Sequence, residues 1–80
     1  MMVAIKATSE KEFNSICKMH KIKMWSSTIS WYLMTWKSTN YYLCISVDEE
    51  GRQQGGGHVC TKHELGSTFV LTLNDGEEML

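Results

Sequence analysis

Apolar and polar residues alternate along this chain with more than one period, and each change of period predicts an element. Residues 3–6 are a short run rich in β-forming side chains. Ser9-Glu10-Lys11-Glu12 follows with the S-x-x-E spacing. In that capping box the Ser hydroxyl and the Glu carboxylate each accept a free backbone N–H at a helix start. Phe13, Ile16, Cys17 and His20 then fall at i, i+3, i+4 and i+7, one stripe of an amphipathic helix. The pattern predicts a helix over residues 9–21. No glycine or proline ends it; its limit is the loss of periodicity and a basic last turn, which suits the helix dipole.

Residues 26–39 are dense in Ser, Thr and Trp, and their β-branched and aromatic content favours a strand. Read with period two, the faces are Ile29/Trp31/Leu33 and Tyr32/Met34/Trp36, so neither is polar. A strand apolar on both faces is either covered on both sides or lies against a partner chain. Some of Trp31, Tyr32, Met34 and Trp36 is therefore expected to remain exposed. Residues 41–47 are the clearest strand, with Tyr41, Leu43, Ile45 and Val47 on one face and Tyr42, Cys44 and Ser46 on the other. Asp48-Glu49-Glu50-Gly51 is a hairpin loop with glycine at the left-handed position, returning through Arg52 to Gln54. Gly55-Gly56-Gly57 breaks or bulges that return, residues 58–61 resume it, and residues 62–67 form a loop. Residues 68–73 are another β-rich run, after which Asn74 or Asp75 can cap a last helical turn through Glu77, Glu78 and Met79. The order predicts an α+β fold: one N-terminal helix packed on a mainly antiparallel sheet of three to five strands, a two-layer sandwich in a single domain.

Composition narrows the function. The chain has 80 residues, 42% hydrophobic, with a formal net charge of −1 from eight basic and nine acidic side chains. That hydrophobic content supports a packed core and argues against disorder. The charge balance lacks the basic face that phosphate neutralisation demands, so direct nucleic-acid binding is not expected. Three cysteines cannot all pair internally, which points to a reducing compartment, the cytoplasm. The apolar start is interrupted at Lys6, well short of a signal or membrane-spanning length, so neither a targeting segment nor a membrane partner is expected.

Two C-x-x-H pairs, Cys17/His20 and Cys60/His63, with His58 nearby, are the residue types of a closed zinc site. They stand far apart in sequence, and Cys17 also fits the helix stripe as a small buried hydrophobe. Zinc is the lesser alternative; no cofactor is the leading expectation. Cys60 near His58 and His63 is the candidate activated thiol, set against an inert strand cysteine. The triple glycine lacks the context of a phosphate-binding loop. No nucleophile, base and orienting group stand together, so no catalytic residue is assigned.

The segment Thr8-Ser9-Glu10-Lys11-Glu12-Phe13 after an initial strand, Trp25 just beyond the helix, Tyr41-Tyr42-Leu43, and the closing L-T-L-N-D-G-E-E-M-L together resemble short phage and prophage proteins. Those often read T-x-E-E-F, an aromatic-Trp after the helix, Y-L-Y-I, and I-T-L-E-E-L at the end. Where such proteins have known roles, many bind and disable a host or immune component. The resemblance implies an inhibitor in the cytoplasm of an infected or lysogenic bacterium, and it carries over no catalytic residues.

Together these patterns predict a non-enzymatic binding protein that blocks a macromolecular partner, a host or immune-system protein, at a surface such as one that holds nucleic acid. Trp31, Tyr32 and Trp36 are the expected anchors, with Asp48, Glu49 and Glu50 steering association. The apolar segment also predicts a homodimer through paired sheet faces or edges. The alternatives are a dimeric binder of a nucleotide-like small molecule and a zinc-stabilised domain.

Overall fold

A computed structural model of the chain describes residues 1–36 and 40–73. Among them run β1 (Met2–Ile5), α1 (Glu10–His20), α2 (Ser26–Thr35), β2 (Tyr41–Ser46), β3 (His58–Thr61), α3 (Lys62–Leu65) and β4 (Phe69–Leu71). The strands form one sheet in the order β3-β2-β1-β4. β1 pairs antiparallel with β2, β2 antiparallel with β3, and β1 parallel with β4. The chain is thus a small α+β domain with a mixed sheet. Two helices, not one, lie on its first face.

The start of α1 forms as its sequence requires: the Ser9 hydroxyl accepts from the Glu12 N–H at 3.1 Å, and the Glu12 carboxylate accepts from the Thr8 N–H at 2.9 Å. Its end uses a side-chain-bearing residue where glycine is usual. Lys21 takes the left-handed conformation at φ 57°, and the Ile22 N–H bonds back to the Cys17 carbonyl at 2.8 Å, closing the helix in the manner of a Schellman turn. Phe13, Ile16 and Cys17 face inward, as their spacing predicts.

Residues 26–35 are a helix, which overturns the strand expected for this segment. Thr28, Ile29 and Tyr32 are buried, and Leu33 and Trp36 pack against the same core. Ile29, Tyr32, Leu33 and Trp36 stand at i, i+3, i+4 and i+7, a helical stripe, so burial follows that period and overrides the local β preference. Tyr32 packs edge-on against Phe13, with ring centres 5.4 Å apart and planes at 80°, joining α2 to α1. Such a pair contributes about 0.5–1.5 kcal/mol beyond its buried area. Its hydroxyl donates to the Tyr41 carbonyl at 2.6 Å, tying α2 to β2.

The strand over residues 41–47 forms with the expected faces. Leu43, Ile45 and Val47 join Val3, Ile5 and Leu71 beneath α1 and α2. Cys44 turns to the opposite face with Ala4, Cys60 and Leu65. There α3 stands where a loop was expected, held by a capping box in which the Thr61 hydroxyl and the Glu64 carboxylate satisfy each other's backbone N–H groups. The last helical turn expected after Asn74 lies outside the described residues.

Candidate functional site

The hairpin after β2 turns as its residues dictate. Gly51 has φ 83°, and a Cβ there would collide with the Lys21 carbonyl oxygen, so both conformation and space require glycine. Asp48 is consumed by the turn: its carboxylate accepts from the backbone N–H groups of Glu50 and Arg52 and from Arg52 Nε, at 2.8–2.9 Å. These donors hold the Asp48 carboxyl below its ordinary range, the Arg52 backbone N–H contributing most. Arg52 also reaches the Glu50 carboxylate at 2.8 Å. Glu49 and Glu50 are exposed. The hairpin borders an open groove of about 790 Å³ lined by Met1, Val47, Asp48, Glu49, Glu50, Arg52 and Gln54.

Gln53 locks this hairpin to the start of α2. It is buried; its carbonyl oxygen accepts from the Trp25 N–H at 2.8 Å, and its amide donates to the Thr28 hydroxyl and the Gly55 carbonyl at 2.9 and 2.8 Å. The Lys23 N–H donates to the Gly51 carbonyl, and the Gln53 N–H to the Lys23 carbonyl, extending the junction into the α1–α2 connection. These bonds hold the acidic hairpin and the start of α2 in fixed relation.

On that helix Trp31 is 42% exposed and Met34 86% exposed, at i and i+3 on the outward face, and Trp25 at its N-cap is 49% exposed. Trp31 thus stands at the surface as expected. Tyr32 does not: it is fully buried between α1 and β2, which removes it from the expected partner-binding set. Trp36 is half-buried, its ring 4.8 Å from that of Tyr41. Met34 is exposed, as that segment's expectation allowed, and Trp25 joins Trp31 and Met34 at the surface.

The zinc ligands are not brought together. Cys17 lies on the inward side of α1, above one face of the sheet, while Cys60 lies on the other face. His20 turns its Nε2 to the Thr72 carbonyl oxygen at 3.0 Å, and His58 and His63 are exposed on β3 and α3. Among the described residues no three His, Cys, Asp or Glu side chains converge to hold a metal ion. What shares a buried cluster with Cys60 is Cys44, its diagonal neighbour on the same face of the sheet. Burial pushes the Cys44 thiol up to about 12, with neighbouring Cys60 adding to the rise. Sequence offered no signal for this pair, because the strand register creates it.

The triple glycine is structural in part. Gly57 packs where a Cβ would press on the Leu43 and Ile45 side chains, whereas Gly55 and Gly56 face open space. None of the three lines the groove beside the hairpin. No helix among the described residues is long and apolar enough to cross a membrane. Comparison with protein-family models, curated proteins and solved structures finds no match.

Proposed function

We propose that this chain is a non-enzymatic binding protein that blocks a macromolecular partner through the outward face of α2 and the adjoining acidic hairpin. The observation that carries this reading is the exposure of Trp31 and Met34 on a helix whose remaining large apolar side chains are packed inward. Tryptophan concentrates binding energy at protein interfaces, and methionine adapts its shape to a partner. A hairpin fixed beside that helix by Gln53 supplies Glu49 and Glu50 as a rim favouring a basic partner surface, such as one that holds nucleic acid. The resemblance to small phage proteins supports a host or immune protein as that partner, met in the bacterial cytoplasm.

Trp31→Ala and Met34→Ser should leave the fold intact, because neither side chain belongs to the buried core. Affinity capture with the wild-type chain should recover a protein that the doubly substituted chain fails to retain. Equal recovery by both chains would remove α2 from the interface. Recovery of a stoichiometric small metabolite in place of any protein would favour a ligand binder.

A further inference from the structure

The sheet ends in two edge strands, β3 and β4, and they are built differently. An edge strand presents unpaired backbone N–H and C=O groups along one side, and another strand can pair with them unless charge, proline, a bulge or a covering element prevents it. β3 is flanked by such devices: the glycine run leads into it, His58 stands exposed at its start, and Lys62 and His63 follow at once in α3. β4 lacks the charges. Residues 67–73 read S-T-F-V-L-T-L, an uncharged run without proline, the composition readiest to pair as β-structure. Among the described residues β4 pairs with β1 alone. Phe69 in that strand is 58% exposed, whereas Leu71, two residues on and so on the same face, is buried. Since β1 stands between β4 and β2, this edge is distinct from the acidic hairpin that follows β2.

We propose that the β4 edge is a self-association surface, on which a second copy of this chain lays its own β4 antiparallel about a two-fold axis and joins two four-stranded sheets into one. The occupant follows from the edge itself. Its backbone groups require a strand, and β4 is self-complementary: with the axis at Val70, Phe69 of one protomer stands opposite Leu71 of its partner on one face, and the two Val70 side chains meet on the other. Aromatic and aliphatic cross-strand pairs stabilise antiparallel neighbours, and the exposed Phe69 ring gains cover in both protomers. Like charges, which destabilise such pairs, are missing from the segment. The two-fold pairing uses both β4 edges, so the assembly closes at two, whereas β4 laid on β3 would leave free edges and continue to grow. One short strand pair buries less than the about 1,200 Å² at which standard interfaces begin, so the dimer is weak and forms towards high micromolar concentration.

Sedimentation velocity from low to high micromolar protein tests the pairing, with amide hydrogen exchange read at both ends of that range. The wild-type chain should pass from monomer to dimer and no further, and the amides of residues 69–71 should gain protection with concentration while those of residues 58–61 do not. Phe69→Lys sets like charges near the two-fold axis and removes no side chain of the buried clusters, so it should stay monomeric while keeping its circular dichroism. Trp31→Ala should dimerise as the wild type does, which separates this edge from the surface proposed for a macromolecular partner. Should Phe69→Lys fail to fold, exchange at residues 69–71 in the wild-type chain decides. Monomer throughout, a dimer that survives in folded Phe69→Lys, one lost in Trp31→Ala, species larger than two, or protection gained at residues 58–61 instead would each overturn the assignment.

Discussion

At the scale of single residues, the polar group that matters most for architecture is Gln53. Its amide satisfies three partners in two segments, and removing it leaves the Trp25 N–H and the Thr28 hydroxyl without acceptor or donor. Gln53→Ala should therefore cost about 2–3 kcal/mol in urea unfolding, the scale of buried polar groups left unsatisfied. A loss below the scatter of surface substitutions would mean that water replaces the amide freely. Tyr32 and Cys44 make a different residue-level prediction. Burial raises the Tyr32 hydroxyl from 10.0 to about 12, with Tyr42 adding to the rise, and raises the Cys44 thiol from 9.0 to about 12. Above those ordinary values the unfolded chain has released protons that the folded chain still holds, so stability falls with rising pH. The contribution is fully present below about pH 9 and is lost progressively towards pH 12. Urea midpoints across that window should decline, and Tyr32→Phe and Cys44→Ala should each flatten the decline. A flat wild-type profile would contradict the burial of both groups.

At the scale of elements, the capping box of α1, the faces of β2 and the glycine of the hairpin were legible because each rests on contacts within a few residues of chain. α2 departs from its local strand preference for a physical reason. Ser, Thr and Trp favour strands locally, yet Ile29, Tyr32, Leu33 and Trp36 already carried the helical period, and the shared core with Phe13 decided between them. The expected paired sheet faces disappear with that strand. A substitution at exposed Ser30, in the middle of α2, discriminates the two states. Ser30→Ala should raise stability by about 0.5 kcal/mol in a helix, where alanine is the better former. In a strand the same change should be neutral or destabilising. The exposed Trp31 was legible as a surface candidate, whereas Tyr32 was not separable from it, because period two and period 3.6 send neighbouring residues to different faces. The Cys44–Cys60 cluster and the Gln53 junction were hidden altogether, since both depend on strand register and on a long-range fold.

At the scale of the whole molecule, the distribution of charge sets how the proposed surface would find its partner. No acidic residue stands between Glu12 and Asp48, and the lysines of that stretch include Lys21 and Lys23 in the connection that the hairpin is bonded to. Arg52 further pairs with Asp48 and Glu50. The acidic hairpin is thus partly neutralised by its own surroundings, and it should steer association weakly, while the tryptophan governs residence time. Asp48 must be kept in the test, because replacing it would dissolve the turn that its carboxylate holds. With a captured partner in hand, Glu49→Ser combined with Glu50→Ser should slow association only by about two- to fivefold and lessen its dependence on salt, leaving dissociation unchanged. Trp31→Ala should do the reverse, accelerating dissociation by on the order of tenfold or more with little change in the association rate. Rates measured by surface-immobilised binding at low and high ionic strength separate the two effects. Association insensitive to both salt and the glutamates would remove the hairpin from the interface, and unchanged dissociation of Trp31→Ala would remove α2.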